Sequence, residues 1–141
     1  MKRIVYTYGV YDLLHVGHLN LMKSASLQGD YLIVGVVKDK AVKTMKGSNR
    51  PVINETDRAK LVDNLKCVNR VVLQNEFDPS VSIKSLFEAG VKINTLVLGE
   101  DQKHLSKAAL AYLVAKYDIK IVRLERTKNI STSDIVKKLG A

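Results

Sequence analysis

Two histidines three residues apart, His15 and His18, close the stretch Tyr8-Gly9-Val10-Tyr11-Asp12-Leu13-Leu14-His15-Val16-Gly17-His18. Positions i and i+3 lie on one face of a helix, so both imidazoles can point to the same side. Gly17 leaves the backbone between them uncovered for close approach by a phosphate, and a helix N-terminus adds free amides and positive partial charge. Such a group can stabilise charge on a phosphorus in transit. The same residues could also be two ordinary, satisfied histidines or two ligands of a metal. The metal reading lacks a third ligand, because the remaining histidine, His104, lies in a distant loop.

Positioning such a pair requires a strand that delivers it and a helix that receives it. Residues 4–8 read as a strand, and residues 19–27 as a helix with Leu19, Met22 and Ala25 on one face and Gly29 available as a C-cap. The continuous apolar run at 31–37 predicts a strand covered on both faces. Residues 38–54 are polar and read as a long loop, the kind that often carries function. Asn54 can cap a helix over about 55–66, with Asp57 in a capping-box position. Residues 71–73 form a short strand, and Asp78-Pro79-Ser80 opens a helix to about Glu88 that Gly90 ends. A strand at 95–98, a helix at 105–117, a strand at 119–124 and a helix at 131–139 complete the chain. Ser131 and Asp134 supply the cap of that last helix.

Strands alternating with helices imply right-handed crossovers and a parallel sheet. The expected fold is Rossmann-like α/β: a doubly wound five-stranded parallel sheet with helices on both faces, one domain over residues 1–141. Loops 9–18, 38–54, 99–104 and 125–133 all follow a strand and precede a helix. In this architecture they share one sheet edge and can converge on one ligand.

Length and composition narrow the function. The 141 residues suffice for one hydrophobic core and are too few for two ordinary ones. No apolar run reaches the ~18–20 residues of a membrane span, and no secretory pattern opens the chain. The single cysteine, Cys67, reads as a buried filler, and a cytoplasmic location is expected. A net charge of +9 favours anionic partners. The lysines are scattered and Trp is absent, which favours small phosphates over nucleic acid or a membrane surface.

The stretch from Tyr8 to His18 resembles the signature of the cytidylyltransferase-like nucleotidyltransferases, with the HxGH element intact. Arg126-Thr127-Lys128-Asn129-Ile130-Ser131-Thr132-Ser133-Asp134-Ile135 is similar to the RTEGISTSxI element of the branch that transfers cytidylyl groups to alcohol phosphates. Together, in the family's order, the two motifs span essentially the whole chain. The resemblance implies attack of an acceptor phosphate oxygen on the α-phosphorus of a nucleoside triphosphate, with release of pyrophosphate. No protein nucleophile is needed, so positioning and charge stabilisation supply the rate.

Carried over residue by residue, the resemblance implies catalytic roles for His15, His18, Lys46 and Arg126. It implies nucleotide-binding roles for Tyr8, Gly9, Val10, Tyr11, Gly17, Arg58, Gly99, Asp101, Ile130, Ser131 and Thr132. The bland readings are an exposed loop lysine for Lys46 and a solvated helix charge for Arg58; Ser131 and Thr132 cap the last helix, and phosphate binding can be added to that role. Asp12 reads as a structural residue at the strand exit. The resemblance also implies CTP as donor, a homodimer, and Mg2+ held largely by phosphate oxygens and water with no dedicated protein metal site.

Lys128-Asn129 replaces the family's Glu-Gly, a turn that Asn can preserve through its tolerance of left-handed backbone. Gly99-Glu100-Asp101-Gln102 replaces a glycine-acidic-Trp pattern and is closer to the loop of archaeal-type FAD synthetases. Glycerol 3-phosphate is the first acceptor, ahead of phosphoethanolamine, phosphocholine and a sugar phosphate such as a heptose 1-phosphate. Lys46-Gly47-x-x-Arg50-Pro51 reads like the sugar-phosphate branch. The enzyme alternative transfers AMP from ATP, for example to FMN. The non-enzyme alternative is a basic binding module for RNA or membranes.

Overall fold

The apolar runs at 4–9, 31–37 and 95–99 become the three inner strands of one sheet. The computed structural model describes residues 2–100, 102 and 105–140, which form five strands and six helices. In chain order they are β1 (Ile4–Gly9), α1 (Val16–Ser26), β2 (Tyr31–Val37), α2 (Asp39–Lys46), α3 (Glu55–Asp63) and β3 (Arg70–Gln74). These are followed by α4 (Ser80–Glu88), β4 (Thr95–Gly99), α5 (Lys107–Tyr117), β5 (Lys120–Leu124) and α6 (Thr132–Lys138). All neighbouring strands are parallel, in the order β3-β2-β1-β4-β5. This is the expected doubly wound α/β fold. The order reverses between β1 and β4, and the crevice at their carboxyl ends is where such sheets bind ligands.

Side-chain alternation along the strands divides the core in two. Leu32, Val34 and Val36 of β2 pack with Val5, Val97, Met22 and Ala25 of α1 and Val62 of α3. Ile33 and Val37 face the other way, with Tyr6, Tyr8, Leu96, Ile83 of α4 and Leu113 of α5. Cys67 lies half-buried at the edge of the first cluster, and burial raises its thiol pKa. No described helix is long and apolar enough to cross a membrane.

Local chemistry sets the helix starts. The Asn54, Ser106 and Ser131 side chains accept from Asp57 N, Ala109 N and Asp134 N, capping α3, α5 and α6. Two sequence expectations change. Residues 38–54 are not loop throughout, because α2 forms within them with one buried residue, Val42, and an otherwise solvated face. Gly29 is not the C-cap of α1, which is Leu27. A Cβ at Gly29 would stand 2.6 Å from the Arg3 carbonyl oxygen, so close backbone approach is what glycine serves there.

Gly35 meets a similar limit in mid-sheet. A Cβ there would run into the Tyr6 hydroxyl and lie 2.7 Å from Gln74 Oε1. Those two atoms share a buried hydrogen bond of 2.6 Å. Gly35→Ala is expected to destabilise the fold by about 1–3 kcal/mol, measured by urea unfolding, because the rigid strands cannot yield.

Candidate active site

The chain leaves β1 through a turn that most side chains disfavour. Tyr11 and Leu13 have φ of 57° and 50°, in the left-handed region. Between them Asp12, 1% exposed, holds the turn. Its carboxylate accepts from Val52 N at 2.7 Å and Ile53 N at 2.9 Å, and its carbonyl accepts from the Thr132 hydroxyl at 2.7 Å. Asp12 thereby joins the β1 exit to the segment before α3 and to the start of α6. Gly9 makes room, since a Cβ would stand 2.9 Å from the Tyr11 ring.

This turn delivers the histidines to the N-terminus of α1. His15 is the N-cap: its Nδ1 accepts from Gly17 N at 3.0 Å, and His18 Nδ1 accepts from His15 N at 3.2 Å. The two rings stack with centroids 3.7 Å apart and planes 21° apart. A neutral imidazole whose Nδ1 accepts carries its proton on Nε2. The network therefore assigns both rings as Nε2–H donors. Both stay neutral easily: burial, then the neighbouring His15, pushes the His18 pKa down to about 4, with Lys46 adding to the effect and Asp12 opposing it. His15 is lowered by burial and then by Arg126. Gly17 does more than uncover the backbone, because a Cβ there would lie 2.8 Å from His15 Cε1 and 3.3 Å from Ile130 Cγ2.

Around the pair lies a cleft of about 480 Å³. Tyr8, Gly9, Val10, Tyr11 and Asp12 line it from the end of β1 and the turn after it, and His15, Gly17 and His18 from the start of α1. Lys46 reaches it from the end of α2, Arg126, Ile130, Ser131 and Thr132 from beyond β5. These sequence-expected residues are brought together. Burial, then Arg50, lowers the Lys46 pKa, with Asp12 opposing. Arg126 is oriented by donating from Nη2 to the Ile130 carbonyl at 3.2 Å and from its backbone to Glu100 at 3.3 Å. Asn129 holds the tight turn between them at φ 65°.

Two expected nucleotide-binding residues take other places. Arg58 does not line the cleft: it is 0% exposed and its guanidinium is committed inside the protein. Nε donates to the Ile53 carbonyl at 2.8 Å, Nη1 to the Val10 and Val37 carbonyls at 2.7 Å each, and Nη2 to Asp39 at 2.6 Å. It braces the ends of β1 and β2. Gly99 is buried and does not line the cleft; it donates its N–H to Gln102 Oε1 at 2.6 Å. Asp101 lies outside the described residues, as does His104.

The cleft also holds residues to which the sequence assigned no role of their own. Gln102 lines it and donates from Nε2 to the Tyr8 carbonyl at 3.1 Å, tying the end of β4 to β1. Its loop, Gly99-Glu100-Asp101-Gln102, stood out in the sequence, but not this residue within it. Arg50 lines the cleft too, and its signal was present in Lys46-Gly47-x-x-Arg50-Pro51.

A family model described as cytidylyltransferase-like matches residues 6–138. Among curated proteins, a bifunctional protein HldE of Helicobacter pylori is 38% identical over 138 residues, 98% of this chain and 28% of that protein. HldE of a Nitratiruptor species is also 38% identical over the same shares. This chain thus spans about a quarter of the length of the curated relatives it matches. Among solved structures, a lipopolysaccharide core biosynthesis protein from Thermoplasma volcanium superposes with a TM-score of 0.70 at 31% identity, covering 92% of this chain and 100% of that one. Pantoate-beta-alanine ligase from Francisella tularensis shares the fold, with a TM-score of 0.61 at 17% identity over 96% of this chain and 68% of its own.

Two outcomes follow from the geometry. Arg58→Met leaves three backbone carbonyls and Asp39 without their donor and is expected to cost about 3–5 kcal/mol in urea unfolding, whereas Lys46→Ala leaves stability unchanged. For His18, the folded pKa of about 4 lies below the free value of 6.5. The unfolded chain then binds the proton first, so the stability this residue contributes is complete above pH 6.5 and declines as pH falls toward 4. Wild type is expected to lose more stability than His18→Asn across that window, and parallel curves would contradict the assignment.

Proposed function

From the premise that the chain belongs to the cytidylyltransferase-like family and is a nucleotidyltransferase, we propose that it activates a sugar phosphate by transferring AMP from ATP. The observation that carries the chemistry is the stacked pair of neutral Nε2–H donors, set at the α1 N-terminus between cations from the β2 and β5 sides. An oxygen of the acceptor phosphate attacks the α-phosphorus. The bond from that phosphorus to the β-phosphate oxygen breaks, and pyrophosphate leaves with the electron pair. The attacking oxygen is already anionic, so no protein base or nucleophile is required. His15, His18, Lys46 and Arg126 hold the phosphoryl oxygens and take up charge as it shifts to the leaving group.

Magnesium fits the site as a companion of the triphosphate. Among the described residues Asp12 is the one carboxylate lining the cleft, and both its oxygens already accept backbone N–H groups. The ion would therefore rest on phosphate oxygens and water, where it neutralises triphosphate charge.

Three features favour this donor and acceptor. The Gly99-Glu100-Asp101-Gln102 loop is similar to that of FAD synthetases, which transfer AMP. Lys46-Gly47-x-x-Arg50-Pro51 is similar to the sugar-phosphate branch, and both of its cations reach the cleft. A structural relative is a lipopolysaccharide core biosynthesis protein, and that core is built of sugars. The second reading, CTP with glycerol 3-phosphate or another alcohol phosphate, is favoured by the Arg126-Thr127…Ile130-Ser131-Thr132-Ser133 element. The homodimer implied by the family belongs to either reading and is tested by sedimentation.

Pyrophosphate release, measured with ATP, CTP, GTP and UTP against sugar 1-phosphates, glycerol 3-phosphate, phosphocholine and FMN, separates the readings. ATP with a sugar phosphate is expected to give the highest kcat/KM. Turnover confined to CTP and an alcohol phosphate would replace the first reading by the second. His18→Ala is expected to lower kcat by roughly 10²–10³-fold, as for loss of one preorganised donor.

A further inference from the structure

Arg50 and Arg58 are both largely buried arginines, yet they differ in their partners: each of the three Arg58 nitrogens donates within the protein. The Arg50 side chain is 13% exposed and lies on the cleft wall with Lys46. Its backbone is set by α2 and by the bond from Arg50 N to the Gly47 carbonyl at 3.2 Å. Its Nε stands 3.6 Å from Asp12 Oδ2, an ion pair but too long for a hydrogen bond. Asp12 is already occupied, since Val52 N and Ile53 N donate to its two oxygens. As a result Arg50 Nε and Nη2 are buried with no hydrogen-bond acceptor among the described residues.

Those two nitrogens are not an arbitrary pair. Nε–H and the adjacent Nη2–H run parallel along one edge of the guanidinium, the edge that grips two oxygens of a phosphate or carboxylate at once. Asp12 faces the Nε end of that edge at 3.6 Å, which balances the charge but leaves both nitrogens without a hydrogen-bond acceptor. The ligand that completes it is an anion with two oxygens side by side.

The sheet order says which anion. β2, which leads to Lys46 and Arg50, and β5, which leads to Arg126, lie on opposite sides of β1, which leads to the histidines. An in-line displacement needs the incoming oxygen and the leaving pyrophosphate on opposite sides of the α-phosphorus. Two cationic flanks around a central donor pair meet that need. This inference rests on the proposed function and on the nucleotide-binding roles that the resemblance implies for Ile130, Ser131 and Thr132: they line the cleft beside Arg126, so the triphosphate is taken to lie on that flank and the acceptor on the opposite one. We propose that the Nε/Nη2 edge of Arg50 binds the phosphate of the acceptor and aims its oxygen at the α-phosphorus, making Arg50 a substrate-binding residue of the transfer step.

The test compares wild type with Arg50→Lys, which keeps the charge but loses the fork, and Arg50→Ala. Thermal unfolding confirms that each variant is folded. With the acceptor that wild type uses, both variants are expected to raise the acceptor KM by about 10–100-fold while the nucleotide KM holds, with Lys restoring part of the loss. A rise in nucleotide KM alone would place Arg50 on the triphosphate and overturn the proposal, and unchanged constants would do the same. A second measurement is independent of turnover. The 15N-edited signal of Arg50 Nε–H is expected to shift saturably as inorganic phosphate is added to the wild-type chain. An unmoved signal while other cleft resonances shift would also overturn it. Absence of pyrophosphate release by wild type would instead count against the proposed function, leaving the Nε–H titration to decide on Arg50.

Discussion

One buried guanidinium holds the ligand-facing edge of this sheet together. Arg58 donates to the carbonyls that end β1 and β2, to the segment before α3, and to Asp39 in the first turn of α2. The carbonyl partners lie where the backbone enters or leaves regular structure, and burial there calls for a donor. The histidines follow a few residues after Val10, and Lys46 lies one short helix after Asp39. Displacing Arg58 therefore displaces the histidine turn and the Lys46 flank at once. Its charge does nothing for a ligand directly, and every donor in use is spent on geometry.

Asp12 completes what Arg58 begins. It sits between two left-handed residues and receives N–H groups from the chain before α3 and a hydroxyl from the start of α6. The strain in Tyr11 and Leu13 persists because these bonds over-determine the turn. With the turn fixed, α1 begins at His15, the rings stack, and each Nδ1 is committed to a backbone N–H. Preorganisation of this kind suits a reaction in which the protein supplies position and charge but forms no covalent bond to substrate. The neutral rings also avoid the repulsion that two imidazolium ions at 3.7 Å would suffer.

Much of this is legible in the sequence. The apolar run at 31–37 is too continuous for a half-exposed strand, and it became the inner strand β2. The Asn54 and Ser131 caps were readable because side-chain oxygen and amide are local in sequence. The helix α2 was not, because it buries a single valine and its remaining residues look like solvated loop. The arginines show the deeper limit. Arg58 and Arg50 both fall beside the expected site, and only the fold decides that one guanidinium is spent on carbonyls while the other keeps two nitrogens without a hydrogen-bond acceptor. Gly17 likewise read as clearance for a phosphate, whereas its missing Cβ also admits the His15 ring, a contact that follows from a hydrogen bond to Gly17's own amide.

The central claim is that the acceptor attacks the α-phosphorus at the histidine pair. It is tested most directly with an acceptor whose phosphate oxygens carry 18O, followed by mass analysis of every product. The account predicts that all the label stays in a single nucleotide-linked product, the bridging oxygen between the two phosphorus atoms included, and that the pyrophosphate released is unlabelled. Release of nucleoside mono- or diphosphate together with a more highly phosphorylated acceptor would mean attack at the β- or γ-phosphorus and would contradict it.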